Sequence, residues 1–263
     1  MRFVATGFFY GFPRDVDSTG QAKSHNIFLV TNRHVIEGQK ELTVRVNRRE
    51  NEPAKLFLSP LKTSDGSDTW IKHPGDADVA ITHIDAPNLA EQGVKFDFFR
   101  DPIHTVSRKK ANELGISEGV GVYVLGFPLG LAGKERNYAI ARHGVIARVQ
   151  DWLRGDSNEF LIDATVFPGN SGGPVVTKPE LANITGTKPL HECSLIGLVS
   201  SYIPYQDMAV STQSGMTRAV FQENSGLAVV VPFDAIREAV GYWFELNREQ
   251  LGDEYKGPSL PIN

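Results

Sequence analysis

What most limits the folds open to this chain is a succession of short runs rich in β-branched and aromatic residues, each bounded by Gly, Pro, Asn or Asp. "NIFLVTN", "ELTVRV", "AKLFL", "DVAITHI", "GVYVLGF", "YAIARHGVIARV", "EFLIDATV" and "SLIGLVS" are all of this kind. Such runs predict strands, and the helical stretches of about ten to fifteen residues that a βαβ fold would place between them are missing. The reading is therefore all-β and antiparallel, a sandwich or a barrel. One amphipathic helix comes late, in "PFDAIREAVGYWFELNREQL". Pro232 and Asp234 open it, and Ile236, Val240 and Phe244 recur at helical spacing. With 263 residues the chain can bury one large core or two smaller ones. Asp85 to Val120 holds few strand signals and reads as a connection between lobes. Tyr202 to Gly226 reads as a long polar insertion before the last strand, "LAVVV".

Charge and cysteine content exclude several classes. A formal net charge of −4 gives no attraction to nucleic acid, and the basic runs "RVNRRE" and "SRKK" read as solvated edges. No apolar run reaches the length of a membrane span. The N-terminal "MRFVATGFFYGF" reads as a strand rather than a signal peptide. Cys193 is the lone cysteine, so no intrachain disulfide can form. Both observations predict a cytoplasmic rather than a periplasmic protein. His25, His73, His83, His104, His143 and His191 lack paired ligand spacing, so no metal is expected; no other cofactor is expected either. Cys193 reads as a packed residue, and Met208 and Met216 stand in the insertion without an assigned role.

"DATVFPGNSGGPVV" sets one serine, Ser171, among three glycines and two prolines. The pattern G-x-S-x-G also describes the nucleophile elbow of α/β-hydrolases. An elbow precedes a helix, and its acid and histidine follow the serine in that order. Here Pro174 and the strand-like Val175–Val176 follow at once, and Glu180 and His191 are too cramped to serve. The reverse order does fit. "FLVTNRHVIEG" carries His34, and "GDADVAITHI" carries Asp78, with Asp76 the turn residue of the pair. A serine hydroxyl is a poor nucleophile until a neutral imidazole can take its proton. A carboxylate on the other ring nitrogen fixes the tautomer and stabilises the imidazolium. The glycines leave bare backbone, so that the amides of Gly169 and Ser171, with Asn170 between them, can converge on a developing oxyanion.

"TNRHV", "DADVA" and "GNSGGP" together resemble the trypsin-like (chymotrypsin-fold) serine proteases, and the details lean toward their bacterial Deg/HtrA-type branch. The separations, 44 residues from His34 to Asp78 and 93 from Asp78 to Ser171, agree with that fold. "LIDATVFPGNSGGPVV", "VLGFPLG" and "GLAVVVPFDAIREAV" extend the resemblance over nearly the whole chain. It implies two six-stranded antiparallel β-barrels with a C-terminal helix. Residues 1–100 would form the lobe carrying His34 and Asp78, 101–120 the connection, and 121–263 the lobe carrying Ser171. It further implies a serine endopeptidase acting on protein or peptide substrates through an acyl-enzyme. Thr165, six residues before the serine, and its neighbour Val166 would sit at the base of the primary specificity pocket, with Ser200 and Ser201 lining it. Nothing there is acidic, which predicts a small to medium apolar side chain before the scissile bond. Asn170 stands where members made as zymogens carry Asp, so no activation by N-terminal processing is expected. The short stretch after the helix has no room for the PDZ domain that Deg-type proteins often carry. Two alternatives use the same residues: a latent or regulatory module needing a ligand or partner to order its oxyanion hole, and an esterase for small acyl groups.

Overall fold

The computed structural model describes residues 4–18, 21–180 and 188–251, and the predicted strands form in the predicted order. The first half holds β1 (Phe8–Val16), β2 (Ala22–Thr31), α1 (Arg33–Ile36), β3 (Glu41–Val46), β4 (Lys55–Pro60), β5 (Ile71–Lys72), β6 (Ala80–Ile84), α2 (Ala86–Glu91) and β7 (Phe98–Arg100). A helix, α3 (Arg108–Leu114), leads to the second half: β8 (Gly121–Gly126), β9 (Ile140–Arg148), α4 (Gln150–Arg154), β10 (Phe160–Asp163), β11 (Pro174–Thr177), β12 (Leu195–Val210) and β13 (Thr217–Pro232). The chain then runs into α5 (Phe233–Leu246) and α6 (Arg248–Leu251).

One barrel closes, not two. The second half is a closed six-strand barrel in the order β10-β13-β12-β11-β8-β9. The first half is an open sheet, β5-β6-β2-β1-β7, beside a separate two-stranded sheet, β3-β4. No strand ladder joins the β3-β4 hairpin to the other half; it is held there by side chains that reach across and by one backbone bond, Ala54 N–H to Glu135 O (2.8 Å). Arg45 donates to the carbonyls of Gly133 and Lys134 (both 2.9 Å), and Arg136 donates back to those of Arg48, Arg49 and Glu52. Asn47 and Asn137 face each other in the same seam.

Two short helices occupy the strand-poor stretch. Asp85 caps α2 at the Asn88 amide, Ser107 caps α3 at the Lys110 amide, and Gly115 ends α3 with φ 67°. The expected polar insertion is regular instead. β12 and β13 run on past the barrel as one antiparallel hairpin, paired from Pro204↔Asn224 to Val210↔Thr217. Alternation in this arm is hidden from a reading by polarity because both of its faces meet solvent.

Two cores flank the inner ends of those strands. On β12, Leu198 packs toward the first half and its neighbour Val199 toward the barrel interior; on β13, Val231 and Val230 divide in the same way. Strands buried on both sides read as unbroken apolar runs, as "LIGLV" and "LAVVV" do. Helix α5 packs Phe233, Ile236, Val240 and Phe244 on Tyr10, Phe28, Val30 and Ile81 of the first sheet. Arg237 fixes it there by gripping the buried Asp101 (3.0 and 2.5 Å), which also accepts from the Tyr10 hydroxyl (2.7 Å).

Candidate active site

Strand pairing brings the first two residues together. The last residue of β2 lies opposite the first of β6, Thr31↔Ala80, so chain leaving one strand meets chain entering the other. His34 sits in the single turn α1 and Asp78 two residues before β6. Their side chains meet at 2.7 Å, Nδ1 to Oδ2, while Asp78 Oδ1 accepts the His34 amide at 3.0 Å. Asn32, fully buried, donates to the Asp78 carbonyl (2.8 Å). Asp76 stands exposed in the preceding turn.

These bonds set the electrostatics. The hydrogen bond to Asp78 raises the His34 pKa above its usual 6.5; burial opposes this, and the charges of Asp78 and Glu37 add to the rise. Burial would push the Asp78 carboxyl up, but the bonds from the His34 ring, the Ser200 hydroxyl and the His34 amide hold it below the usual carboxylate value. The His34 side chain is 48% exposed and that of Asp78 21%, so the ring keeps an open edge.

Ser171 arrives from the other half of the molecule. It lies in the turn between β10 and β11, and two backbone bonds tie that turn to β12: Gly172 N–H to Val199 O and Val199 N–H to Gly173 O, both 2.9 Å. Ser200 therefore lies beside Ser171. Its hydroxyl donates to Asp78 Oδ2 (2.7 Å), and its carbonyl accepts from Ser171 Oγ at 3.4 Å. The Ser171 hydroxyl is thus turned to the Ser200 carbonyl and not hydrogen-bonded to the His34 ring. The lobes are laced by Thr6, whose amide donates to Ser171 O and whose carbonyl accepts from Thr31 Oγ1, both 2.8 Å.

Around the serine the backbone leaves two donors unused. Among the described residues, the amides of Gly169 and Ser171 donate to no acceptor. The Pro168 carbonyl accepts from Leu129 N–H (2.7 Å), and in a trans peptide the Gly169 N–H points the opposite way. Gly169 adopts φ 102°, and a Cβ there would run into the Phe127 carbonyl. Asn170, expected in the same donor set, has its amide engaged by Phe167 O (2.9 Å), so it contributes no free N–H.

Of the pocket residues, Thr165 is exposed, Val166 is buried, Ser200 is half-buried and Ser201 is exposed. Reading the sequence assigned Ser200 to the pocket and missed its bond to Asp78. It also passed over Thr6, which no motif marks. Cys193, expected to be packed, is exposed. Among the described residues no three His, Cys, Asp or Glu side chains gather as metal ligands, and no helix is long and apolar enough to cross a membrane.

Comparison with known proteins gives the same direction. The family model described as "Trypsin-like peptidase domain" matches residues 5–180. "Serine protease Do-like HtrB" of Bacillus subtilis is 27% identical over 164 residues, 58% of this chain and 28% of the relative. "Probable periplasmic serine endoprotease DegP-like" of Hahella chejuensis is 26% identical over 166 residues, 62% of this chain and 28% of the relative. A protein of the same name from Halomonas elongata is 27% identical over 154 residues, 58% of this chain and 25% of the relative. This chain thus spans little more than a quarter of the length of these relatives. Two of the three are named as periplasmic, against the cytoplasmic expectation.

Proposed function

This chain belongs to the trypsin-like peptidase domain family, and from that premise we propose that it is a serine endopeptidase working through Ser171, His34 and Asp78. The observation that carries the reading is the double grip of Asp78 on His34, one carboxylate oxygen on Nδ1 and the other on the backbone amide. With Nδ1–H donating to Asp78, the other ring nitrogen, Nε2, is left as an acceptor. Ser171 reaches that acceptor by rotating its hydroxyl from the Ser200 carbonyl, a staggered-rotamer hop on the picosecond-to-nanosecond scale. His34 then takes the Ser171 proton as Oγ attacks the carbonyl carbon, and returns it to the leaving amine. Water, deprotonated by the same ring, releases the acyl group.

The unused amides of Gly169 and Ser171 are the donors for the oxyanion. The Pro168 carbonyl, fastened to Leu129, keeps the Gly169 N–H turned away from that fastening, which supports a resting enzyme with its hole formed over a latent one. Thr165, Val166, Ser200 and Ser201 form the pocket for the residue before the scissile bond. Thr165 and Val166 carry no charge, which favours small to medium apolar side chains. The substrate class is protein or peptide.

Turnover of unfolded casein and of a nitrophenyl ester, each with the wild type and with Ser171→Ala, tests the reading. Casein cleavage lost in the variant is the expected result. Ester turnover without casein cleavage contradicts the endopeptidase assignment, and casein cleavage surviving the substitution contradicts the nucleophile.

A further inference from the structure

Past the barrel the arm leaves two strand edges without a partner strand among the described residues, β13 from Thr217 to Ser225 and β12 from Ser200 outward, and the β12 edge starts at the serine. β11 pairs with β12 only as far as Pro174↔Leu198, and the serine turn adds bonds to Val199. From Ser200 outward the side of β12 facing Ser171 has no strand beside it among the described residues, whereas the opposite side is paired with β13 out to Val210. The Ser200 carbonyl, which Ser171 Oγ touches, lies on this open side. Further along, past the register shift between Tyr202 and Pro204, two residues have features that suit an open edge. Pro204 has no N–H to lose. The Met208 amide donates to the adjacent Asp207 carboxylate at 2.8 Å.

Long exposed edges are normally blunted by lysines, prolines, bulges or covering loops, because they pair with any extended chain. Here Pro204 and register shifts at Tyr202/Pro204 and Ala209/Val210 mark the two ends, while Tyr205 to Ala209 pairs with β13 in unbroken register and carries no lysine. Tyr202 to Val210, "YIPYQDMAV", carries Asp207 as its single charge. Large apolar side chains stand in solvent on both faces of the arm: Tyr205 (59% exposed), Met208 (62%), Val220 (55%) and Phe221 (58%). The arm's base is fastened to the pocket wall, where Asn224 Nδ2 donates to the Val166 carbonyl at 2.5 Å. The matched family stretch, residues 5–180, ends before the arm begins.

We propose that the β12 edge from Pro204 to Val210 is an extended substrate rail, pairing with residues well to the N-terminal side of the scissile bond. The inference rests on the serine-endopeptidase reading, since it takes the scissile carbonyl to lie beside Ser171 and Ser200. Pairing antiparallel to β12, as every neighbour in this barrel pairs, the substrate enters at Val210 and reaches Ser171 at its scissile bond. Its upstream residues then lie along the arm, over roughly 20 Å at about 3.4 Å per residue. Backbone bonds to the edge supply affinity with little sequence demand, and Tyr205 and Met208 supply apolar contact. The occupant is thus an extended, unstructured polypeptide rather than a short peptide or a folded surface loop.

The experiment compares two casein-derived peptides sharing one cleavage site, with three or ten residues before the scissile bond. The enzymes are the wild type and a variant in which Tyr205–Glu223 is replaced by Asn-Gly, closing the hairpin on the paired Pro204 and Asn224. The wild type should cleave the longer peptide with a kcat/KM at least about tenfold higher, chiefly through KM, the worth of one or two net backbone hydrogen bonds. The shortened arm should abolish that advantage while leaving short-peptide cleavage and fluorophosphonate labelling of Ser171 unchanged. N-methylating the long peptide at its sixth and eighth residues before the scissile bond should abolish it too. No length advantage in the wild type, or one that survives the shortened arm, overturns the rail. So does a length-independent rate together with a dimer that the shortened arm turns into a monomer, which would assign the edge to a second copy of this chain. Absence of labelling and cleavage in the wild type would instead strike the endopeptidase reading, and the rail with it.

Discussion

The hydroxyl of Thr6 donates to the carbonyl of Gly169 at 2.6 Å, joining residues 163 positions apart, and accepts the Phe127 amide at 3.1 Å. Through these bonds the first half of the chain holds a peptide plane of the serine turn. The next amide, that of Asn170, is consequently turned into Phe167 O, and the free amides of Gly169 and Ser171 flank it on either side.

Thr6→Val keeps the shape of Thr6 and removes both bonds, leaving the Gly169 carbonyl buried and unpaired. An orphaned buried acceptor costs about 1–3 kcal/mol. The variant should unfold earlier by that amount, and peptide turnover should fall in kcat with little change in KM; Thr6→Ser should restore both. Thermal unfolding and steady-state kinetics on the three proteins check this, and equal kcat in all three contradicts the assignment of Thr6 as a positioning residue.

Gly169→Ala should be among the most damaging small substitutions in the chain. It forces a side chain into φ 102° and against the Phe127 carbonyl. Losing one oxyanion donor alone costs about 10²–10³ in turnover. Gly215 in the arm's turn also has positive φ, 69°, but open space around its Cβ position, so Gly215→Ala should leave kcat on a short peptide unchanged.

Activity should rise with pH as His34 loses its proton, with a midpoint above 6.5 because Asp78 holds the imidazolium. Asp78→Asn should bring the midpoint down and reduce kcat by about 10⁴. The stability consequences have opposite signs. A raised His34 pKa contributes stability present below about 6.5 and lost as pH rises through the folded value. A lowered Asp78 pKa contributes stability present above the ordinary carboxylate pKa and lost as pH falls through the folded value. The His34 ring proton resonance, followed by NMR against the kcat profile, tests both midpoints.

Much of this was legible in the residues, for identifiable reasons. The strands could be read because burial imposes β-branched runs, and His34 and Asp78 because each adjoins a strand end that pairing brings together. The open sheet of the first half could not, because "ELTVRV" and "AKLFL" read alike whether they close a barrel or form a hairpin docked through Arg45 and Arg136. The arm from Tyr202 to Gly226 was hidden because neither face is buried, so no apolar alternation marks it. Ser200 was noticed for its place next to the pocket, but its bond to Asp78 depends on a meeting of lobes that no local pattern records. The caps Ser107 and Gly115 were readable and were passed over.

Fold stability should depend on the grip of Arg237 on Asp101, which joins α5 to the first sheet far from Ser171. Asp101 is 1% exposed, so Arg237→Met strands a buried carboxylate with only the Tyr10 and Thr105 hydroxyls. Breaking such a pair from one side costs about 3–5 kcal/mol, and the 33% exposure of Arg237 places this one at the lower end. Tyr10→Phe should cost less, about 1–3 kcal/mol, because the carboxylate keeps its guanidinium partner. Chemical denaturation measures both, with kcat per folded molecule unchanged.

Peptide mapping by mass spectrometry after treatment with a fluorophosphonate tests the assignment of Ser171 most directly. One adduct is expected, on Ser171, formed quickly by the wild type, slowly by His34→Ala and not at all by Ser171→Ala. A label on any other serine, or unaltered labelling when His34 is replaced, would contradict the triad.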